Sequence, residues 1–219
     1  MNFASYLLID ASLPNAIIVA QLDESGRRWS HFSEEPVAAL EGIFSAVETV
    51  CPQFSPSGFL FCEGPGSILG IRIAAAAIRG RNAIGKPVPV FAFQSLPLIA
   101  TLISRAFPQE KKFCVLAESR MNAWNLLSVE NGVPADRFRE IKTADLSNYA
   151  SEKIFLLPQR SAKLPPIETV PVNPAVLLRE NPDIFAEHTH LLHECGNEPD
   201  AVNTAASSGY AKWTPARHR

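Results

Sequence analysis

Short apolar runs separated by polar turns open the chain. Residues 6–9 and 16–20 form two such runs, and a polar turn at 23–26 leads into the segment 27–31. Runs of this length, rich in apolar residues and bounded by turn-forming residues, are typical of strands. The pattern therefore predicts three antiparallel strands at the start of the chain.

Apolar residues then recur at three- and four-residue spacing, which is the period of a helix that faces a core. Ser33 is placed to cap this helix, and Pro36 falls in its first turn. The apolar stripe consists of Val37, Leu40, Phe44, Val47 and Cys51. The pattern predicts an amphipathic helix that ends near Pro52.

Strand-like and helical segments alternate through the rest of the first half. An almost wholly apolar run at 58–62 predicts a strand covered on both faces, and the next turn leads into a helix from Ser67 to about residue 82. A strand at 88–93 and an apolar helix at 96–107 follow. The order β-β-β-α-β-α-β-α is typical of an α/β domain, which we expect to span residues 1–108.

The second half has the pattern of a smaller α/β unit. Strands are predicted at 113–117, 123–129 and 154–157, and a helix is predicted at 175–179. A polar segment closes the chain. We therefore predict a smaller C-terminal domain over residues 109–219.

Composition narrows the range of functions. The chain has 219 residues, with 20 Lys and Arg against 22 Asp and Glu and a net charge of -2. This balance gives little bulk attraction for a polyanion, which disfavours direct, strong nucleic-acid binding.

The N-terminus has no basic segment, and no apolar stretch approaches the roughly 20 residues that cross a bilayer. The four cysteines form no C-x-x-C pair and fit core thiols of a reducing compartment, so a cytoplasmic protein without membrane contact is expected.

A glycine- and proline-containing turn is the most informative motif. Its sequence from 63 to 72 is EGPGSILGIR. Backbone N–H groups at such a strand-to-helix turn can hold an anion, but the Lys and Ser or Thr of a phosphate loop are absent. A dinucleotide loop fits only in outline, because no acidic residue closes the next strand. We therefore interpret the motif as a structural turn, formed by Gly64, Pro65, Gly66, Ser67 and Gly70, in which Ser67 is placed to cap the following helix.

Other chemically suggestive side chains have simpler explanations. Asp10 closes a strand, where a carboxylate more often bonds local backbone than a metal. His188, His190 and His193 suggest metal binding, and on a helix the last two would share a face. Their spacing matches no zinc motif, so a solvated helix face is the favoured interpretation. Cys62 is expected to be buried in a strand, and no G-x-S-x-G nucleophile elbow is present, so no catalytic, cofactor-binding or metal residue is predicted.

The turn motif carries a family resemblance. Gly64-Pro65-Gly66-Ser67-x-x-Gly70-x-Arg72 is similar to the GPGSFTGLR signature of the TsaB (YeaZ) family. Elsewhere, LLIDAS at 7–12 resembles the family's LAIDTS opening, FQSL at 93–96 its VSSL segment and, more weakly, ESRM at 118–121 its DAR segment. The similarity covers residues 6–125.

The sequence also departs from that family. Ile68 and Leu69 replace Phe and Thr of the signature, and Ala74 replaces a usual glycine. The His- and Ser-containing stretch before the first helix is missing. The resemblance therefore rests mainly on the turn motif and on its position after the fourth predicted strand.

The resemblance implies an actin-like (ASKHA) fold, with two RNase H-like lobes of mixed sheet and a reduced C-terminal lobe. In this fold ATP is normally clamped by a hairpin loop from each lobe. The first hairpin here, Asp10-Ala11-Ser12, lacks a glycine that would let the backbone approach phosphate. After Gly85 only Gly132, Gly196 and Gly209 remain, so the second lobe has no glycine-rich loop. A pseudoenzyme without a cofactor is therefore expected.

The resemblance further implies a function through partners. TsaB proteins are understood to pair through helices with TsaD or with themselves, and TsaE belongs to the same complex. We expect a non-catalytic subunit that supports TsaD in threonylcarbamoyl transfer to the adenosine next to the tRNA anticodon, with tRNA reached only through the complex. The alternatives are an active small-molecule kinase or hydrolase of the same fold, and a nucleotide-binding oxidoreductase built on the glycine turn. The expected partner interface comprises Val37, Leu40, Phe44, Val47, Ile68, Arg72, Ala75 and Arg79.

Overall fold

A computed structural model describes residues 3–37, 39–160 and 165–195, with the side chains of these ranges except those of residues 39 and 40. The strands are β1 (Tyr6–Asp10), β2 (Ile17–Leu22), β3 (Trp29–Glu35), β4 (Gly58–Gly64), β5 (Val90–Gln94), β6 (Lys112–Glu118), β7 (Ala123–Glu130), β8 (Val133–Pro134), β9 (Arg139–Lys142), β10 (Lys153–Leu156), β11 (Val170–Pro171) and β12 (Leu192–Glu194). The α-helices are α1 (Ala39–Val50), α2 (Ile68–Ile84), α3 (Ser95–Ala106), α4 (Pro174–Glu180) and α5 (Ile184–Glu187). None of these helices is both long and apolar enough to cross a bilayer.

The first sheet has six strands in the order β12-β5-β4-β1-β2-β3. β1, β2 and β3 form the predicted antiparallel meander, in which Val19 pairs with Ile9 on one side and with Ser33 on the other. β4 and β5 run parallel to β1, and β12 adds antiparallel to the free edge of β5. β4 is buried along its whole length, as its apolar sequence predicted.

Helices cover both faces of this sheet. α1 and α2 pack on one face, where Ile43 and Val50 of α1 and Ile71 and Ile78 of α2 join an apolar cluster with Phe61 of β4. The apolar side of α3 packs on the other face. Because its central strands are covered on both sides, their apolar residues stand at consecutive rather than alternating positions.

The predicted start of the first helix is wrong. Ser33 lies in β3, which pairs with β2 as far as Glu35, and its hydroxyl donates to the Glu35 carboxylate (Oγ to Oε1 2.6 Å). The helix begins at Ala39 instead. Continued pairing along β2 satisfies backbone groups over several residues, and this outweighs a local capping signal.

The second sheet also has six strands. β11, β10, β6, β7 and β8 follow one another in that order, and β9 also pairs with β7. β6, β7 and β10 are the strands predicted from the apolar runs of the second half. Together the two mixed sheets and their helices confirm the predicted α/β class.

The two sheets share one apolar core. Phe93 of β5 lies 5.2 Å from Phe185 of α5, between ring centroids, and the same cluster extends to Phe155 of β10. Trp29 of β3 donates its indole N–H to the Leu178 carbonyl of α4 (2.9 Å). Segments beyond residue 108 therefore contribute to the first sheet and its core, and the domain boundary at that point stays a prediction.

Candidate functional site

The turn between β4 and α2 lies directly against the hairpin that connects β1 and β2. Ser67 donates its backbone N–H to the Ser12 carbonyl (2.6 Å), and Ser95 donates its hydroxyl to the Pro65 carbonyl (2.8 Å). The Ser67 hydroxyl accepts from the Gly70 N–H (3.3 Å), which confirms the predicted helix cap. The turn is thus bonded on both sides to neighbouring chain segments.

The glycines of this turn allow close backbone contact with the hairpin. A Cβ at Gly66 would lie 2.3 Å from the Ser12 oxygen, and a Cβ at Gly70 would lie 2.0 Å from the Ala11 oxygen. Both distances are far below van der Waals contact. The two glycines therefore accommodate the protein's own backbone, which is the structural explanation that the sequence favoured.

Little space remains beside this turn, between the lobe that contains the first sheet and the lobe that contains the second. The cavity has a volume of about 20 Å³ and is lined by Ser12, Gly66 and Ser67 from the first lobe and by Glu118 and Arg160 from the second. The Arg160 backbone N–H donates to the Glu118 carboxylate (2.7 Å) across one side of it. Pockets for small ligands measure roughly 300–1,000 Å³. The space beside the turn is far smaller than such a pocket.

Asp10 is part of the buried structure beneath the hairpin. Its side chain is 3% exposed, and Oδ1 accepts the Ser12 backbone N–H (2.8 Å), which is the local bond that the sequence suggested. Burial raises the pKa of Asp10 above its ordinary value of 3.8. The pKa of the Cys62 thiol is raised well above its ordinary value, mainly by burial and also by the nearby charge of Asp10. A thiol held neutral in this way is a poor nucleophile.

Replacing Asp10 with asparagine is expected to change how stability depends on pH. Because the folded pKa is raised, the Asp10 contribution to stability is present below pH 3.8 and is lost as pH rises through the folded pKa. An asparagine amide oxygen can still accept the Ser12 N–H, and it does so without a buried charge. We therefore expect the stability of Asp10→Asn relative to the native chain to increase with pH, measured by urea unfolding between pH 4 and pH 7.

Asp23 provides a control of opposite sign. Its exposed carboxylate accepts from the Ser25 hydroxyl and from the backbone of Arg27 and Arg28, and these bonds lower its pKa. Its contribution is therefore present above the ordinary pKa and is lost as pH falls through the folded pKa. Asp23→Asn should lose relative stability as pH rises from about 2 to about 5. A relative stability of Asp10→Asn that stays flat or falls between pH 4 and pH 7 would contradict our assignment.

The three histidines do not share a helix, so that part of their interpretation is wrong. His188 follows α5, His190 lies in the 3-10 turn Thr189–Leu191, and His193 lies in β12, whose backbone pairs with β5. His193 Nε2 is 3.3 Å from the buried Glu63 carboxylate. Among the described residues no three or more His, Cys, Asp or Glu are grouped so that they could hold a metal ion.

An apolar groove runs between α1 and α2 on the outer side of the first lobe. Its volume is about 490 Å³. Phe44 of α1 and Ile84 of α2 are 63% and 92% exposed at its sides. Exposed apolar surface of this kind often marks an interaction site. We call it the outer groove, and its lining residues are Phe44, Phe54, Ile73, Ala76, Ala77, Gly80, Arg81 and Ile84.

Only some of the residues expected at a partner interface have exposed side chains. Phe44, Arg72 and Arg79 are exposed, and Val37 and Ile68 are half-buried. Val47 and Ala75 instead lie buried in the apolar cluster under their own helices, and the Leu40 side chain lies outside the described part of the chain.

The exposed stripe of α2 is shifted by about one residue from the predicted stripe. It consists of Leu69, Arg72, Ala76, Arg79, Gly80 and Ala83. Sequence reasoning missed Ala76, Gly80 and Ile84, because the helical period alone does not reveal which side of an alanine-rich helix the sheet covers. A glycine inside a helix was the one available signal, since glycine is unfavourable there.

Comparisons with known proteins identify the fold. No protein-family model matches the sequence, and no curated protein matches it. YeaZ from Pseudomonas aeruginosa matches in structure with a TM-score of 0.58 at 17% identity, covering 92% of this chain and 97% of that chain. An uncharacterized protein with similarity to peptidase YeaZ, from Pseudomonas aeruginosa, gives 0.55 at 19% identity, covering 87% and 95%. A protein of unknown function from Bacteroides thetaiotaomicron, with an actin-like ATPase fold, gives 0.38 at 10% identity, covering 81% and 98%. The first two matches show that the chain has the fold of YeaZ, and the predicted fold class is confirmed.

Proposed function

We propose that this chain is a non-catalytic TsaB-type subunit that supports a TsaD-type protein in threonylcarbamoyl transfer to the adenosine next to the tRNA anticodon. The observation that carries the proposal is the close backbone contact between the glycine turn and the first hairpin, beside a space of only about 20 Å³. The YeaZ fold and the GPGS turn provide the family context. TsaE would act in the same complex, in the cytoplasm.

A closed cleft favours a structural contribution over chemistry. A Cβ on Gly66 or Gly70 would lie only 2.0–2.3 Å from the hairpin backbone, so neither a side chain nor a phosphate group can enter between the turn and the hairpin. Asp10, which would be the natural metal-binding acid of such a cleft, is buried and bonded to Ser12. A chain with this geometry would contribute surface and stability to its partner rather than a catalytic group.

The outer groove is the surface best suited to that partner. It exposes two large apolar side chains, Phe44 and Ile84, beside small residues that permit close helix packing. The net charge of -2 offers little attraction for RNA. Contacts with tRNA would therefore be made by the partner.

Affinity purification tests the proposal. The tagged chain, expressed in its native cell, should recover a TsaD-type protein, and depletion of the chain should lower the threonylcarbamoyladenosine content of tRNA, measured by mass spectrometry of nucleosides. Recovery of no TsaD-type protein together with unchanged threonylcarbamoyladenosine would overturn the proposal.

A further inference from the structure

The last described residue lies at the end of the first sheet where α2 ends. Cys195 donates its backbone N–H to the carbonyl of Val90, the first residue of β5 (3.0 Å), and packs against the apolar cluster under α1 and α2. The Val88 carbonyl accepts from the Asn82 amide in the last turn of α2 (3.1 Å), and the Val88 N–H donates to Asn82 Oδ1 (3.3 Å). The chain therefore leaves the described fold beside the C-terminal end of α2.

The outer groove opens at the same end of the sheet. Phe59 of β4 pairs with Val90, and its ring centroid lies 5.9 Å from that of Phe54 in the groove lining. Arg81 Nε donates to the Phe54 carbonyl (3.2 Å), and Ile84, the last residue of α2, is 92% exposed. One helix, α2, with a diameter of about 10–12 Å, therefore separates Cys195 from the groove.

Small residues leave open space in the groove. Ala76 is exposed, and a Cβ at Gly80 would meet nothing within 4 Å among the described residues. Phe44 and Ile84 are the large exposed apolar side chains beside this space. A flat aromatic ring placed over Ala76 and Gly80 would bury apolar surface against the groove.

The charges beside the groove are divided between the two helices. The charged residues of α1 are Glu41 and Glu48, both exposed, and α1 contains no Lys or Arg. α2 contains no Asp or Glu, and Arg72 and Arg79 are exposed on it. One side of the groove is thus acidic and the other basic.

Residues 196–219, which we call the C-terminal tail, follow Cys195 and lie outside the described part of the chain. Tyr210 and Trp213 are its large aromatic residues, and side chains of this type provide most of the binding energy at many interfaces. The stretch from Cys195 to Tyr210 can extend up to about 50 Å, several times the width of α2. Both aromatic residues can therefore reach the groove.

The charges of the C-terminal tail occur in an order that matches the groove. Its first part contains Glu198 and Asp200, and its last part contains Lys212, Arg217 and Arg219. An acidic first part would pass the basic α2, and a basic last part would lie beside the acidic α1. Complementary charges of this kind favour one orientation over its reverse.

We propose that the C-terminal tail docks in the outer groove of its own chain, with Trp213 over Ala76 and Gly80 and with the basic end of the tail beside α1. The docked tail covers the surface proposed for the TsaD-type protein, so the two compete for the groove. The competition rests on the proposed function, whereas the docking of the tail does not.

Fluorine NMR of the full chain tests the docking. Labelling with 5-fluorotryptophan gives signals from Trp29, Trp124 and Trp213, and Trp213→Phe assigns the last. We expect the Trp213 signal to differ from that of a synthetic peptide of residues 206–219, and Ala76→Arg to move it to the position of the peptide signal. Val133→Arg, exposed in the second lobe, is the matched control and should leave it in place. Unchanged Trp29 and Trp124 signals report an intact fold.

A charge exchange tests the orientation of the tail. Glu41→Lys/Glu48→Lys removes the acidic side of the groove and should lower the docking constant about 5-fold, measured from the position of the Trp213 signal. Adding Lys212→Glu/Arg217→Glu/Arg219→Glu to the same chain should restore docking. Equal docking in all these chains would contradict the proposed orientation.

Three results would overturn the docking. One is a native Trp213 signal that coincides with the peptide signal. Another is a Trp213 signal that Ala76→Arg leaves in place. The third is a Trp213 signal that shifts with protein concentration, because the tail would then occupy the groove of a second copy.

Affinity for the partner tests the competition. A tail that is docked in about nine of ten chains lowers the apparent affinity about 10-fold. The full chain with Trp213→Ala should therefore bind the purified TsaD-type protein about 10-fold more tightly than the native chain, and equal affinity would overturn the competition. If no chain binds that protein while the fluorine signal shows a docked tail, the proposed function fails and the docking stands. A free tail on a chain that binds the protein gives the reverse result, so the two failures are distinguishable.

Discussion

Replacing Gly70 with alanine is expected to lower the free energy of unfolding by about 3 kcal/mol, at the upper end of what overpacking usually costs. The added methyl would lie 2.0 Å from the Ala11 carbonyl oxygen. A backbone oxygen cannot rotate away as a side chain can, so the turn and the hairpin would have to separate. The loss of the Ser67-to-Ser12 hydrogen bond should follow. Chemical denaturation of the purified variant measures the effect.

Gly80→Ala is the matched control for this substitution. Both positions lie in α2, but a Cβ at Gly80 meets nothing within 4 Å. The control should gain about 0.5–1 kcal/mol from the better helix propensity of alanine. If Gly70→Ala proved as stable as the native chain, the turn would not be packed against the hairpin in the way that closes the cleft.

Replacing Ala76 with arginine is expected to abolish recovery of the TsaD-type partner. Ala76 is exposed and lines the outer groove, so the fold of the chain should tolerate the larger side chain. In a complex, a guanidinium group would be buried among Phe44 and Ile84 without a partner charge, which is costly. We expect affinity to fall at least about 100-fold, or roughly 2.8 kcal/mol, measured by binding of the two purified proteins.

Val133→Arg is the control for the outer groove. Val133 is 66% exposed, but it lies in β8 of the second lobe. This variant should bind the partner as the native chain does. Unchanged binding of Ala76→Arg, with circular dichroism equal to that of the native chain, would show that the partner binds elsewhere.

The apolar core of the fold could be predicted because its sequence patterns are local and extend over several residues. Continuous apolar runs marked β4 and β6, and the GPGS sequence marked both the turn and the Ser67 cap. Strands such as β8, β11 and β12 have only two or three residues and little apolar character. Their pairing is decided by neighbouring strands, which a local pattern does not contain.

The wrong predictions also concern features that are decided by contacts between residues distant in the sequence. Ser33 has the side chain of a helix cap, yet strand pairing with β2 holds it in β3. His193 lies in β12 because the free edge of β5 is available for pairing, and its contact with Glu63 joins residues that are far apart in the sequence. The exposed side of α2 depends on how the helix sits on the sheet, so Ala75 proved buried and Ala76 exposed.

The central claim is that the glycine turn fills the space that a nucleotide would need. Titration of the purified chain with Mg²⁺ and ATP by isothermal calorimetry tests this claim most directly. We expect no saturable heat up to about 1 mM ATP, the limit of weak specific binding. Saturable binding of one ATP per chain at micromolar concentration would contradict the account.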